Sequence, residues 1–202
     1  MKKVNEIFYS IQGEGYHTGT PAVFVRFSGC NLKCPFCDTQ HEDGILMSDE
    51  EILSEVGKYP AVMVILTGGE PSLWIDREFV DCLHRIGKYV CIETNGTRSL
   101  PNNIDWVTCS PKEGSNAIVV NPHEIKVVYT GQDLSTYEEM TAAVYYLQPC
   151  SCQNTEEVID YGEFYQFNLS SCIRQQNSLT AQFVSFSLSN LANIFYPPQF
   201  LQ

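Results

Sequence analysis

Basic side chains are scarce in this sequence, with 12 Lys and Arg against 24 Asp and Glu and a formal net charge of -12. Binding a nucleic-acid backbone requires Lys and Arg to neutralise phosphates, so this balance argues against a nucleic-acid partner and favours a small substrate. Long apolar runs are also missing, and the amino terminus has no apolar core typical of a signal peptide. We therefore expect a cytoplasmic protein with no membrane span.

The composition changes along the chain. The 202 residues, 44% of them apolar, are enough for one core of ordinary size. Residues 162–202 are rich in Ser, Gln, Asn and Phe, and Glu163 and Arg174 are their only charged residues. The sequence therefore predicts a catalytic domain over residues 1–161 and an atypical carboxyl-terminal extension over residues 162–202.

Apolar and β-branched runs alternate with helical patterns. A capping box begins a helix after Ser48, and apolar residues at helical spacing follow Asp76 as far as Gly87. A polar helix is predicted near residues 134–140. Strands are predicted at residues 21–27, 61–66, 89–93, 105–109, 124–129 and 143–147. The alternation predicts an α/β fold, a parallel sheet or incomplete TIM-like barrel with crossover helices, whose functional loops follow the carboxyl ends of the strands.

The chain has nine cysteines, and three of them, Cys30, Cys34 and Cys37, share one short loop. Three thiolates so spaced can hold three irons of a cubane cluster and leave the fourth iron open. A structural zinc site needs four ligands; no second C-x-x-C pair follows, although His41 would complete a Cys3His set. The spacing favours the cluster over zinc or free thiols. The six other cysteines are predicted to be mostly small buried hydrophobes.

The pattern Cys30-x3-Cys34-x2-Cys37, with Phe36 before the last cysteine, resembles the signature of the radical S-adenosylmethionine (SAM) superfamily. Residues 66–71, Leu-Thr-Gly-Gly-Glu-Pro, resemble the second motif of that superfamily, where glycine surfaces receive the amino group of SAM. The resemblance implies a radical SAM core, a 4Fe-4S cluster on the three cysteines, and cleavage of SAM to a 5'-deoxyadenosyl radical.

A narrower resemblance is carried by residues 6–15, 19–22 and 37–39 and by Arg26. These segments are similar to the 7-carboxy-7-deazaguanine synthase family, and the likeness extends over roughly residues 4–161. It implies conversion of 6-carboxy-5,6,7,8-tetrahydropterin to 7-carboxy-7-deazaguanine with loss of ammonia, a step of queuosine and 7-deazapurine biosynthesis. The radical would abstract the hydrogen at C6 of the pterin, and SAM would be regenerated.

The same resemblance implies the site residues. Thr39 would bind Mg2+. The residues implied to contact SAM are Phe36, Cys37, Asp38, Gly69, Ser110, Pro111, Lys112, Gln148, Pro149, Cys150 and Ser151. Those implied to contact the pterin are Ile11, Gln12, Gly13, Glu14, Arg26 and Thr67, of which Arg26 would clamp the carboxylate with its planar fork.

The resemblance also implies an electron donor such as flavodoxin or ferredoxin, and a homodimer. Two other readings stay open: a glycyl-radical-enzyme activating protein, and a non-enzymatic iron-sulfur or zinc module. Gln12 and Arg26 favour a pterin over a protein substrate, because a macromolecular substrate needs no readers of a pterin edge. The likeness stops after residues 160–161, and residues 162–202 lack the histidine that the family's closing segment usually contains.

Overall fold

A computed structural model describes residues 1–37, 39–137, 139–150, 154, 155 and 158 and the backbone of 168–169. Its helices are α1 (Asp49–Val56) and α2 (Arg77–Arg85), with 3-10 turns at Pro71–Leu73 and Leu134–Tyr137. Its strands are β1 (Lys2–Ile11), β2 (Pro21–Phe27), β3 (Ile45–Met47), β4 (Met63–Gly68), β5 (Tyr89–Thr94), β6 (Trp106–Cys109), β7 (Glu124–Tyr129), β8 (Val144–Pro149) and β9 (Asn168–Leu169).

The described strands form one sheet in the order β3-β1-β2-β4-β5-β6-β7-β8-β9. From β2 to β9 every neighbouring pair is parallel, whereas β1 runs antiparallel to β2 and β3. The two outermost strands, β3 and β9, are not neighbours, so the sheet is open. The predicted α/β fold with a parallel, incomplete barrel is confirmed.

Both α-helices begin at side-chain caps, of which the sequence predicts the one at Ser48. Ser48 Oγ accepts a hydrogen bond from the Glu51 backbone N at 3.2 Å, and Glu51 Oε2 accepts one from the Ser48 backbone N at 2.7 Å. Asp76 Oδ1 accepts a hydrogen bond from the Phe79 backbone N at 2.8 Å, which begins α2. Gly87 follows α2 with a φ of +76°, a left-handed conformation that glycine adopts at low cost.

The two faces of the sheet differ in chemistry. The outer face packs against the helices, and its core includes Val23, Val25, Leu66, Ile92, Ile52, Val56, Phe79 and Leu83. Because successive side chains of a strand point to opposite faces, the alternate residues form the inner face. Near the carboxyl ends of the strands this inner face carries polar side chains: Thr67, Glu93, Lys126 and Gln148.

The structure differs from the predictions in two places. Strand β1 was not predicted, because a register shift between Val4 and Glu6 interrupts its period of two. The helix predicted over residues 134–140 is a single 3-10 turn, begun by hydrogen bonds from Ser135 to the Asp133 carboxylate. Between β5 and β8, the described residues contain no α-helix. The helices α1 and α2 both precede β5 in the chain.

The division at residues 161 and 162 falls where the structure describes few residues, so it stays a prediction. Strand β9 belongs to the predicted extension and pairs in parallel with β8 through Tyr146–Asn168 and Leu147–Leu169. Neither described α-helix has the length and apolar character needed to cross a bilayer.

Candidate active site

A cavity of about 250 Å3 opens at the carboxyl ends of the parallel strands. Its walls come from the cysteine loop after β2, the glycine turn after β4, and the ends of β5 to β8. The lining residues that the sequence predicts as site residues are Glu14, Cys30, Cys34, Phe36, Cys37, Thr39, Thr67, Gly69, Ser110, Lys112, Gln148, Pro149 and Cys150. The fold thus gathers residues that are more than a hundred positions apart in sequence.

One side of the cavity is formed by Cys30, Cys34, Phe36 and Cys37, and we call it the cysteine end. Gly69 packs directly on this loop, because a Cβ on Gly69 would overlap the carbonyl oxygen of Gly29. The Glu70 backbone N donates a hydrogen bond to that carbonyl at 2.9 Å. The glycine turn and the cysteine loop therefore fix each other's position.

A buried carboxylate ties the next strand to the same loop. Glu70 is completely buried, and its side chain accepts hydrogen bonds from Thr94 Oγ1 at 2.7 Å and from the Asn95 backbone N at 2.8 Å. Asn95 Nδ2 donates to Asn31 Oδ1 at 3.0 Å and lies 3.9 Å from Cys30 Sγ. The end of β5 thus orients the first cysteine of the loop.

The donor set at the cysteine end fits a 4Fe-4S cluster. Cys30, Cys34 and Cys37 are free thiols on one cavity wall, and the Leu32 backbone N donates to Cys30 Sγ at 3.4 Å. Burial raises the pKa of the Cys34 thiol, and the positive charge of nearby Lys112 offsets part of this rise. In the described part of the chain no three His, Cys, Asp or Glu side chains converge as ligands of one ion. A cubane cluster takes each thiolate on a different iron.

Beyond the cysteine loop, the wall carries the residues predicted to contact SAM. Lys112 Nζ donates to Ser110 Oγ at 2.6 Å and lies 5.9 Å from the centre of the Phe36 ring. Burial lowers the pKa of Lys112. Gln148 lines the cavity, and its Oε1 is buried and accepts no hydrogen bond from the described residues. These features fit a polar cofactor such as SAM.

Among the described residues predicted to contact SAM, one does not line the cavity. Pro111 is buried and does not line the cavity. Asp38 and Ser151 lie outside the described residues, so their roles stay predictions.

A second part of the cavity is formed by a hydrogen-bonded group of side chains, which we call the polar cluster: Glu14, Thr67, Glu93, Lys126 and Gln148, with Gln12 behind them. Lys126 Nζ lies 2.8 Å from Glu14 Oε2 and 3.3 Å from Glu93 Oε1. Gln12 Nε2 donates to Glu93 Oε1 at 3.0 Å, Thr67 Oγ1 donates to Glu93 Oε2 at 2.9 Å, and Gln148 Nε2 donates to Glu14 Oε1 at 3.2 Å. Four strands and the loop after β1 therefore meet here.

Burial and charge oppose each other in the polar cluster. Burial favours the neutral acid at Glu93, but Lys126 and the hydrogen bonds from Thr67 and Gln12 hold the pKa of this carboxyl below its ordinary value. Burial likewise disfavours the charge on Lys126, yet Glu14 and Glu93 hold its pKa above its ordinary value. Glu93 and Lys126 are therefore charged at neutral pH.

The loop after β1 crosses the inner face because Glu124 anchors it. Glu124 Oε2 accepts hydrogen bonds from the Tyr16 backbone N at 3.2 Å and from Trp106 Nε1 at 3.3 Å. Burial raises the pKa of Glu124. Gly15 sits against this carboxylate with a φ of +68°, and a Cβ there would overlap Glu124 Oε1. These contacts hold Glu14 at the cavity.

Four residues predicted to contact the pterin do not line the cavity. Gln12 and Gly13 belong to the loop that crosses the inner face, whereas Ile11 is exposed. The stem of Arg26 lies beside Gly68, and its Nε lies 3.1 Å from Glu6 Oε1. The clamp role of Arg26 stays a prediction.

Five residues of the site are not among those predicted to form it: Glu93, Lys126 and Glu124 at the inner face, and Glu70 and Asn95 behind the cysteine loop. Glu93 and Lys126 are charged residues within apolar strands, a pattern that marks a buried functional side chain. The importance of these two residues could therefore be predicted from the sequence. Their partners could not be predicted, because the partners come from other strands.

Comparisons with known proteins agree with this geometry. The model of the radical SAM superfamily matches residues 24–143. A 7-carboxy-7-deazaguanine synthase from Bacteroides thetaiotaomicron is 69% identical over 160 residues, which cover 79% of this chain and 88% of the relative. The synthase from Nitratidesulfovibrio vulgaris is 40% identical, with 73% and 81% covered. The crystal structure of QueE from Escherichia coli matches with a TM-score of 0.70 at 30% identity and covers 84% of this chain and 92% of that one.

The open parallel sheet and the cysteine loop at its carboxyl end, together with the family match, define a radical SAM protein. Within that superfamily, the chain belongs to the family of 7-carboxy-7-deazaguanine synthases. Radical SAM proteins use a 4Fe-4S cluster and SAM, and they need a source of electrons.

Proposed function

We propose that this chain converts 6-carboxy-5,6,7,8-tetrahydropterin to 7-carboxy-7-deazaguanine with loss of ammonia. The observation that carries the proposal is a single cavity with two chemically distinct ends: thiol ligands at one, ionised hydrogen-bond acceptors at the other. When bound, the cluster and SAM supply the radical that removes the C6 hydrogen of the pterin. The residues of the chain bind and orient the pterin within its reach.

The polar cluster matches the pyrimidine edge of a pterin. That edge presents two N–H donors, at N3 and at the 2-amino group, and ionised carboxylates are strong acceptors for such donors. Glu14 and Glu93 line the cavity, and Thr67 and Gln12 fix the Glu93 carboxylate by donating to its two oxygens. A flat heterocycle with its donors directed at these carboxylates would lie across the inner face.

Arg26 is proposed to clamp the substrate carboxylate. Its register partner on β4 is Thr67, a cavity residue, so a moderate turn of the side chain away from Glu6 brings the guanidinium towards the same cavity. A planar guanidinium suits a carboxylate because it donates two parallel hydrogen bonds.

Thr39 is proposed as a ligand of Mg2+, together with substrate and water oxygens. It lines the cavity near Cys37, whose Sγ lies 3.6 Å from the Thr39 carbonyl oxygen. Mg2+ prefers oxygen ligands and usually keeps several waters, so one hydroxyl from the protein is sufficient.

The electron donor is proposed to be a flavodoxin or ferredoxin. Cys37 is exposed, which supports access of an external reductant to a cluster at this end. The homodimer and the cytoplasmic location stay predictions.

The proposal is tested by anaerobic assay of the reconstituted protein with SAM, a reductant, Mg2+ and 6-carboxytetrahydropterin, following product mass. We expect 7-carboxy-7-deazaguanine and a dependence on added Mg2+. SAM cleavage without product would instead favour another substrate, such as the glycyl-radical protein of the activating-enzyme hypothesis. Absence of SAM cleavage with an intact cluster would favour the non-enzymatic module.

A further inference from the structure

Lys126 is a buried cation between two acids of the cavity. Its side chain is 7% exposed, and its ammonium group lies within 3.3 Å of both the Glu14 and the Glu93 carboxylates. Those two acids come from the loop after β1 and from β5, so Lys126 joins elements that are distant in sequence. A buried charge is tolerated only when it is paired, so each ion pair favours the charged form of both its partners.

We propose that Lys126 is a positioning residue that keeps Glu14 and Glu93 as a pair of ionised acceptors and so selects substrates presenting two N–H donors on one edge. The inference rests on the proposed function, since a pterin is the substrate with that edge. Lys126 acts through the two carboxylates, and its own contact with the substrate is not required.

Among the described residues, Lys126 is the cation that pairs directly with these carboxylates. Gln12, Thr67 and Gln148 donate hydrogen bonds to them but are neutral. Lys112 lines the same cavity, but its ammonium group is hydrogen-bonded to Ser110.

Without Lys126, two neighbouring carboxylates would share a partly buried space, and one of them would take up a proton. A protonated carboxyl is a hydrogen-bond donor, and it would then face a donor of the pterin. Selection for the 2-amino group would be lost, whereas the cysteine end would be unaffected.

The test compares two ligands, 6-carboxytetrahydropterin and its analogue without the 2-amino group, in the reconstituted protein with SAM. Dissociation constants for both are measured under anaerobic conditions, with KM and kcat for the pterin. Lys2→Met is the matched control, because Lys2 is 6% exposed and forms an ion pair with Asp49 at 2.6 Å outside the cavity.

In the unsubstituted protein we expect a preference for the pterin of about 100-fold, the value of a charge-assisted hydrogen bond. Lys126→Met is expected to reduce this preference below about tenfold through a raised KM, with iron content unchanged. Lys126→Arg, which keeps the charge, should restore most of it, and Lys2→Met should leave it unchanged. A preference retained by Lys126→Met would overturn the inference.

A second comparison covers the case in which Lys126→Met does not fold. The double variant Lys126→Met with Glu14→Gln removes one charge of each sign. We expect its preference to equal that of Glu14→Gln alone, because no second carboxylate then repels the charge of Glu93, and Thr67 and Gln12 still donate hydrogen bonds to it. A further loss in the double variant would overturn the inference. If the unsubstituted chain binds neither ligand, the proposed function itself is wrong.

Discussion

The two ends of the cavity are built in different ways. Most of the cysteine end comes from one continuous loop, residues 30–37, braced by the glycine turn after β4 and by Asn95. The polar cluster takes its six side chains from the loop after β1 and from strands β4, β5, β7 and β8. One end is therefore a local motif, and the other exists only in the folded sheet.

Because of that difference, the chemistry shared by the superfamily depends on the cysteine end, and the choice of substrate depends on the polar cluster. A compact loop can hold the metal with little help from the rest of the fold, whereas substrate recognition depends on the register of five elements. Substitutions at the cysteine end should abolish all chemistry, and substitutions at the polar cluster should change which substrate is used.

The largest effect is expected from Cys34→Ala. Removal of one of three thiolate ligands should prevent assembly of the cluster and eliminate cleavage of SAM, measured as iron content and 5'-deoxyadenosine. Cys82→Ala is the control, because Cys82 lies on α2, outside the cavity. An intact cluster in Cys34→Ala would mean that the loop is not the metal site.

Gly69→Ala tests how the two motifs hold each other. Its Cβ would overlap the backbone of Gly29, so we expect a loss of about 3 kcal/mol in the free energy of unfolding, measured by urea denaturation. Gly114→Ala is the comparison: Gly114, unlike Gly69, has a positive φ of 72°, but a Cβ there meets nothing within 4 Å, so about 1 kcal/mol is expected. Equal losses would contradict the close packing at Gly69.

Arg26→Ala should separate the two ends functionally. We expect cluster content and SAM cleavage to be retained, while KM for the pterin rises about tenfold to 100-fold with loss of the carboxylate clamp. Glu6→Gln removes only the ion pair of Arg26 and should leave KM nearly unchanged. If both variants behave alike, Arg26 serves the strand pair β1–β2 and not the substrate.

The smallest effect is expected in the pH dependence of the unfolding free energy at His17, whose ring packs against Trp106. Burial lowers the pKa of His17 to about 4 from 6.5, so the unfolded chain binds a proton in this range and the folded chain does not. The stability from neutral His17 is thus complete above pH 6.5 and declines towards pH 4. His17→Phe keeps a ring against Trp106, and its unfolding free energy should fall less steeply between those pH values. Parallel curves for the two proteins would contradict this.

The sequence predicts the parallel half of the fold well, because buried strands such as β4 are continuous apolar runs and helix caps such as Ser48 have a fixed local chemistry. Strand β1 escaped prediction because its bulge breaks the alternation, and the expected helix after Asp133 is only one turn. Local sequence patterns predict where strands and helices lie, but they do not predict where a bulge interrupts a strand or where a helix stops after one turn.

The candidate site divides in the same way. The cysteine loop and the glycine turn are visible as motifs, and Glu14 and Thr67 follow from family resemblance. Lys126 and Glu124 were not predicted, because each is significant only through partners that the sheet register brings together. A charged residue in an apolar strand indicates a functional side chain, but the sequence does not show which residues it contacts.

The central claim is that one cavity holds the cofactors at the cysteine end and the pterin at the polar cluster. An anaerobic crystal structure of the reconstituted protein with SAM and 6-carboxytetrahydropterin tests it most directly. We expect the cluster on Cys30, Cys34 and Cys37, and the pyrimidine edge of the pterin on Glu14 and Glu93. A pterin bound elsewhere, or oriented with that edge away from both carboxylates, would contradict the account.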